Sequence, residues 1–79
     1  MNTTLPLANL RPGDHAVIAH LKVDEALYQR LSAMGLRIGR PVCVVRRASL
    51  SGPIQIRVGF TDLMVRLTDA RNICVTPII

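Results

Sequence analysis

The sequence predicts a mainly β protein, a small and highly curved barrel of about five strands with one inserted α-helix at about residues 24–34. Three observations carry that prediction. From residue 37 onward apolar and polar residues alternate with a period of two, which is the signature of half-buried strands. One segment alone, 24–36, combines a helix start, an apolar stripe and a stop signal. The chain has only 79 residues, so the strands must follow one another through tight connections, a pattern that favours a small barrel over a sandwich. The length allows a single domain, 1–79.

In order along the chain, residues 1–4 form a loose terminus, and Leu5, Leu7 and Leu10 make a short apolar segment. Pro12-Gly13-Asp14 stops it: Pro presets φ, Gly tolerates positive φ and Asp bonds its own downstream backbone. His15 to Leu21 is a strand with Ala16, Ile18 and His20 on one face. The helix starts at Asp24 as N-cap with Glu25 in its first turn. Leu27, Leu31 and Met34 recur at i, i+4 and i+7, and Gly35 and Leu36 occupy the C′ and C″ places of a Schellman stop. Gly39 and Pro41 make a turn into a strand at Val42–Ala48, and Ser49–Pro53 is a loop. Ile54, Ile56, Val58 and Phe60 form the core face of the next strand. Thr61-Asp62 connects tightly to Leu63, Val65 and Leu67. A one-turn helix follows at Asp69–Asn72, capped by Thr68, and Ile73–Thr76 closes the chain as a last strand.

Composition narrows the function. Apolar residues make up 49% and charged residues 19%, the reverse of a disordered chain. The longest apolar runs, Ala16–Ala19 and Val42–Val45, are far short of the roughly 20 residues of a spanning helix, and the N-terminus lacks a signal-peptide pattern. With only two cysteines, distant in sequence, the expectation is a cytoplasmic protein with reduced thiols, peripheral to a membrane at most. No catalytic residues are expected, because each carboxylate has a capping or turn role and no nucleophile–base spacing appears. Nor is a metal site or cofactor: His15 and His20 are five apart in a strand and point to opposite faces, and Cys43 and Cys74 have no C-x-x-C spacing.

The arginines are the stronger signal. Lys22 is the only lysine in a chain of net charge +5, and arginine favours fixed contacts with carboxylates and phosphates. Such a face either keeps a hydrophobic small protein solvated or docks an acidic protein face, anionic lipid headgroups or nucleic acid. Tyr28 and Phe60 are the only aromatic residues, too few for the stacking platforms of single-strand nucleic-acid binders or the grooves that take proline-rich peptides. Nucleic acid is therefore not expected as a partner, and a protein is favoured. Leu50, in the polar stretch Ala48 to Pro53, either folds back over one end of the barrel or stands out as an apolar anchor. In the second case Pro53 adjoins it and Arg46, Arg47 and Arg57 form a charged rim. Edge strands leave self-association open.

Several pieces occur in a familiar order: Leu7-x-x-Leu10-x-Pro12-Gly13-Asp14; Arg30-Leu31-x-x-Met34-Gly35-Leu36-x-x-Gly39; Val44-x-Arg46-x-Ala48-x-Leu50-x-Gly52-Pro53-Ile54-x-Ile56; Leu63-x-Val65-Arg66; and Ala70-x-x-Ile73-x-Val75. Together, over about residues 5–75, they resemble the FeoA family of the bacterial ferrous iron transport system. The resemblance implies an SH3-like barrel, a non-enzymatic accessory role in Fe(II) uptake, and docking on the cytosolic part of the membrane transporter FeoB, which carries a GTP-binding domain. Ser49 stands where the family pattern has proline, leaving the loop less rigid. Related barrels in iron-dependent repressors contribute carboxylates to a metal, and Glu25, the chain's only Glu, already serves the helix. A transition-metal sensor or delivery domain is the alternative reading, and a basic nucleic-acid-binding barrel a third.

Overall fold

The computed structural model describes residues 3–78 as one antiparallel sheet of six strands with two short helices. The strands are β1 (Leu5–Pro6), β2 (His15–Leu21), β3 (Pro41–Arg47), β4 (Ile54–Val58), β5 (Thr61–Val65) and β6 (Ile73–Ile78), and the helices are α1 (Glu25–Ala33) and α2 (Leu67–Ala70). The sheet order is β1-β6-β2-β3-β4-β5. The mainly β, SH3-like architecture with one inserted helix is thus the one the sequence predicts. Its sixth strand is the pair Leu5–Pro6, which joins the edge of β6 opposite Val75 and Cys74. Of the loose terminus expected at 1–4, Met1 and Asn2 lie outside the described residues.

The inner face of the sheet holds the core. Ala16, Ile18, Val42, Val44, Ile54, Ile56, Leu63, Val65, Ile73 and Val75 alternate inward, and Leu7, Leu10, Leu31, Leu36 and Ala70 join them from the connections. No polar or charged residue is buried among the described residues. The helix ends where its chemistry says it should. The Asp24 carboxylate accepts from Leu27 N at 2.8 Å. At the other end Gly35 N donates to Ser32 O at 3.0 Å and Leu36 N to Leu31 O at 2.9 Å, the two bonds of a Schellman stop. Gly35 has φ +97°, open to glycine and strained for any side chain.

Four expectations need correction. Met34 does not complete the buried stripe; it caps α1 and is 43% exposed, leaving Leu31 and, in part, Leu27 to pack. Phe60 is fully exposed rather than in the core. β4 ends at Val58, and Gly59, at φ +61°, is the first residue of a two-residue hairpin turn whose second is Phe60. That is the sign pattern of a type II′ turn, whose twist suits the flanking strands. The second helix is Leu67–Ala70, starting after Arg66 with no side-chain cap, two residues earlier than expected. Finally, a β-bulge in β2 lies between Ile18, opposite Val75, and His20, opposite Cys74. The extra residue, Ala19, restarts the alternation, so Leu21 turns inward and His20 joins His15 on the outer face.

Candidate functional site

The loop between β3 and β4 is closed by two backbone bonds, Ala48 N to Pro53 O at 3.0 Å and Gly52 N to Ser49 O at 3.2 Å. Its two central residues, Leu50 and Ser51, have φ of +58° and +64°. Positive φ at both centres is the sign pattern of a type I′ turn, which normally selects Asn-Gly or Gly-Gly. An L-residue held left-handed costs roughly 1–2 kcal/mol, so this turn sustains strain at a site where the sequence could have placed glycine. The side chain presented there is apolar, and Leu50 is 99% exposed. It does not fold back onto the barrel. Gly52 has no such freedom of choice: a Cβ there would lie 2.6 Å from Ala48 Cβ.

The arginines near the loop separate into three environments. β3 carries a second bulge, between Val44 and Arg46, after which Arg46 faces outward opposite Gln55 and Arg47 turns toward the core side opposite Ile54. Adjacent strand residues point to opposite faces, so the two cannot share one rim. Arg46 is exposed, and its side chain makes no hydrogen bond among the described residues. The Arg47 guanidinium donates to the carbonyls of Ala8 and of Leu10, the latter at 2.7 Å, and pins the segment that follows β1.

Arg57 lies farther up β4. Its Nε donates to Asp62 Oδ1 at 2.7 Å and its Nη2 to Oδ2 at 3.1 Å, while Gln55 also donates to Asp62. These hydrogen bonds hold the Asp62 carboxyl below its ordinary range and raise Arg57. A lowered carboxylate stabilises the fold above its unfolded pKa, and that contribution is lost as pH falls through the lowered, folded value. Both groups are well exposed, so solvent screening keeps the effect small. We expect Asp62→Asn to abolish only a shallow acid-side slope in stability, checked by denaturant unfolding from neutral pH to about pH 3.

The loop therefore gathers Leu50, Pro53 and Arg46, and a residue that sequence reasoning overlooked. Ser51 and Pro53 line a shallow cleft with Arg66, Leu67 and Thr68. The pairing of Ile54 with Val65 makes Pro53 and Arg66 the next neighbours along the ladder. The signal for this was Gly59. A turn at Gly59-Phe60 sets that register, whereas a turn at Thr61-Asp62 shifts it by four and hides Arg66. Among the described residues no group of three or more His, Cys, Asp or Glu could hold a metal ion, and no helix is long and apolar enough to cross a membrane.

Comparison with known proteins places this geometry. The FeoA domain model matches residues 5–77. A solved structure of an iron uptake regulatory protein (FeoA) is similar with a TM-score of 0.86 at 26% identity, covering 96% of this chain and all (100%) of that one. The FeoA protein from Chlorobium tepidum gives 0.90 at 29% identity, over 95% of this chain and 71% of that chain. Iron(II) transport protein A from Clostridium thermocellum gives 0.87 at 31%, over 94% of this chain and 46% of that chain. A manganese-dependent transcriptional repressor shares the fold at a TM-score of 0.88 with 18% identity. No curated protein matches the chain.

Proposed function

Because the chain belongs to the FeoA family, we propose that it is a non-enzymatic accessory protein of ferrous iron uptake that works at the cytoplasmic face of the membrane. It docks on the cytosolic part of an FeoB-type transporter through the β3–β4 loop. Leu50 is the anchor, Pro53 and the cleft beside it shape the seat, and Arg46 and Arg66 form the charged border. One observation carries this reading: a leucine stands fully exposed in a left-handed turn that glycine would occupy without strain. An apolar side chain ringed by cations is the anatomy of a small hot spot with a polar rim. Docking influences transport only if the transporter's states differ in affinity for this surface.

The test is calorimetry of the chain against the isolated cytosolic domain of the transporter. Leu50→Asp should weaken binding by at least about thirtyfold, the effect of losing a hot-spot contact, with thermal unfolding unchanged. Leu50→Gly should lose binding as well, while raising stability by about 1 kcal/mol through relief of the left-handed strain. Affinity should fall as salt rises, since exposed charges more than about 10 Å apart are screened at 0.1 M. Undiminished binding by both Leu50 variants would remove the loop as the docking element.

A further inference from the structure

The chain has two histidines and two cysteines, and the strand register sets each histidine directly opposite a cysteine. His15 on β2 pairs with Cys43 on β3, and His20 on β2 pairs with Cys74 on β6. Both pairs lie on the outer face: Val42 and Val44 flank Cys43 and are buried inward, as are Ile73 and Val75 around Cys74. The bulge at Ala19 is what brings the second pair into line. Both histidines are exposed, and both cysteines are free and half-buried.

We propose that these pairs are two nitrogen–sulfur sites for a soft monovalent cation of the Cu(I) class. Thiolate and imidazole are the donors such an ion prefers, and a closed-shell monovalent ion is satisfied by two donors in line. The remaining neighbours in the two rows, Ile78 and Arg57 around the first pair and Pro6 beside the second, donate nothing. Fe(II), Mg(II) and structural zinc, which call for more donors, are therefore not served.

The spacing is suitable for a single bridging ion. Val44 N donates to Asp14 O at 3.0 Å and Ile18 N to Arg40 O at 3.0 Å. By the alternation of antiparallel ladders His15–Cys43 falls in the non-hydrogen-bonded class, with Cα atoms about 4.5 Å apart and Cβ atoms about 4.5–5.5 Å apart. Lys22 N donates to Asn72 O at 2.8 Å, which puts His20–Cys74 in the wider class, about 5.5 Å between Cα atoms. The first pair is the tighter site. Arg57 beside Cys43 is engaged by Asp62, so its charge does not face the bound ion uncompensated. Each ion displaces the thiol proton, and uptake strengthens as pH rises.

The experiment is an anaerobic titration of the intact chain with Cu(I) held by bicinchoninate, read by native mass spectrometry and by the loss of chelator absorbance. The monomer should withdraw two ions, and bound copper should block iodoacetamide at both Cys43 and Cys74 in the unmutated chain. His15→Ala and His20→Ala should each weaken one ion by at least about tenfold, since even outer partners of metal ligands count for that much. One ion, lost only in His15→Ala, would sustain the first site and overturn the second. The proposal falls if neither histidine variant changes uptake, if copper appears only in species of two chains, or if the chelator keeps the metal.

Discussion

Leu36→Ala should lower the free energy of unfolding by about 2–5 kcal/mol, the range for removing a large buried aliphatic side chain and leaving its cavity. Leu36 lies in no helix or strand, yet it is fully buried in the core. The Schellman stop places it there, with Gly35 turning the chain so that Leu36 folds back under the last turn of α1. Its side chain therefore couples the inserted helix to the sheet. A core this small supplies roughly 3–5 kcal/mol of net stability, so the variant is expected to be largely unfolded at ambient temperature. Urea titration followed by circular dichroism checks this. A loss under about 1 kcal/mol would mean that the helix can detach without the sheet noticing.

Arg47→Ala is the second large effect, and it distinguishes a structural clamp from a docking residue. The guanidinium serves two carbonyls on the segment that joins β1 to β2, more than thirty residues away in sequence. Hydrogen bonds to a charged donor contribute about 1.5–3 kcal/mol each, and the abandoned carbonyls add a desolvation penalty when water cannot reach them. A loss of at least about 3 kcal/mol is expected, two such bonds at the lower figure, which lowers the melting temperature by at least about 12 °C at the 4–8 °C per kcal/mol of a domain this size. Arg46→Ala, one residue earlier, should leave the melting temperature within about 4 °C, since surface changes stay within about 0.5 kcal/mol, and weaken partner binding instead. Equal melting temperatures in the two variants would overturn the separation of roles. Arg47→Lys should recover only part of the loss, because a single ammonium lacks the planar fork.

These two predictions show where the sequence could be read and where it could not. The start and stop of α1 were legible because capping is local chemistry: Asp24, Leu27, Gly35 and Leu36 interact within a few residues. The inward alternation of Val42, Val44, Ile54, Ile56, Ile73 and Val75 was legible because pleating imposes a period of two on any half-buried strand. Leu50 could be singled out as an apolar residue in a polar loop, though sequence left open whether it folded back or stood out. The strain that marks the turn resides in backbone angles that Leu50 and Ser51 would not ordinarily adopt, and no propensity points to it.

Tertiary structure decided what depended on register. The two bulges, at Ala19 and near Val45, each insert one residue into a ladder and flip every side chain beyond it. One flip turns Arg46 outward and Arg47 inward and so converts a supposed rim residue into a clamp. The other puts His15 and His20 on one face, each opposite a cysteine. Gly59 set the β4–β5 register and with it the proximity of Arg66 to Pro53. The sequence by itself determined the fold class, the inserted helix and its caps, and most of the strand residues that form the core, because those follow from local geometry and hydrophobic period. It did not determine the exposure of Met34 and Phe60. Which outward residues meet was settled only by strand pairing, since a one-residue shift leaves the composition of a strand unchanged while exchanging its two faces.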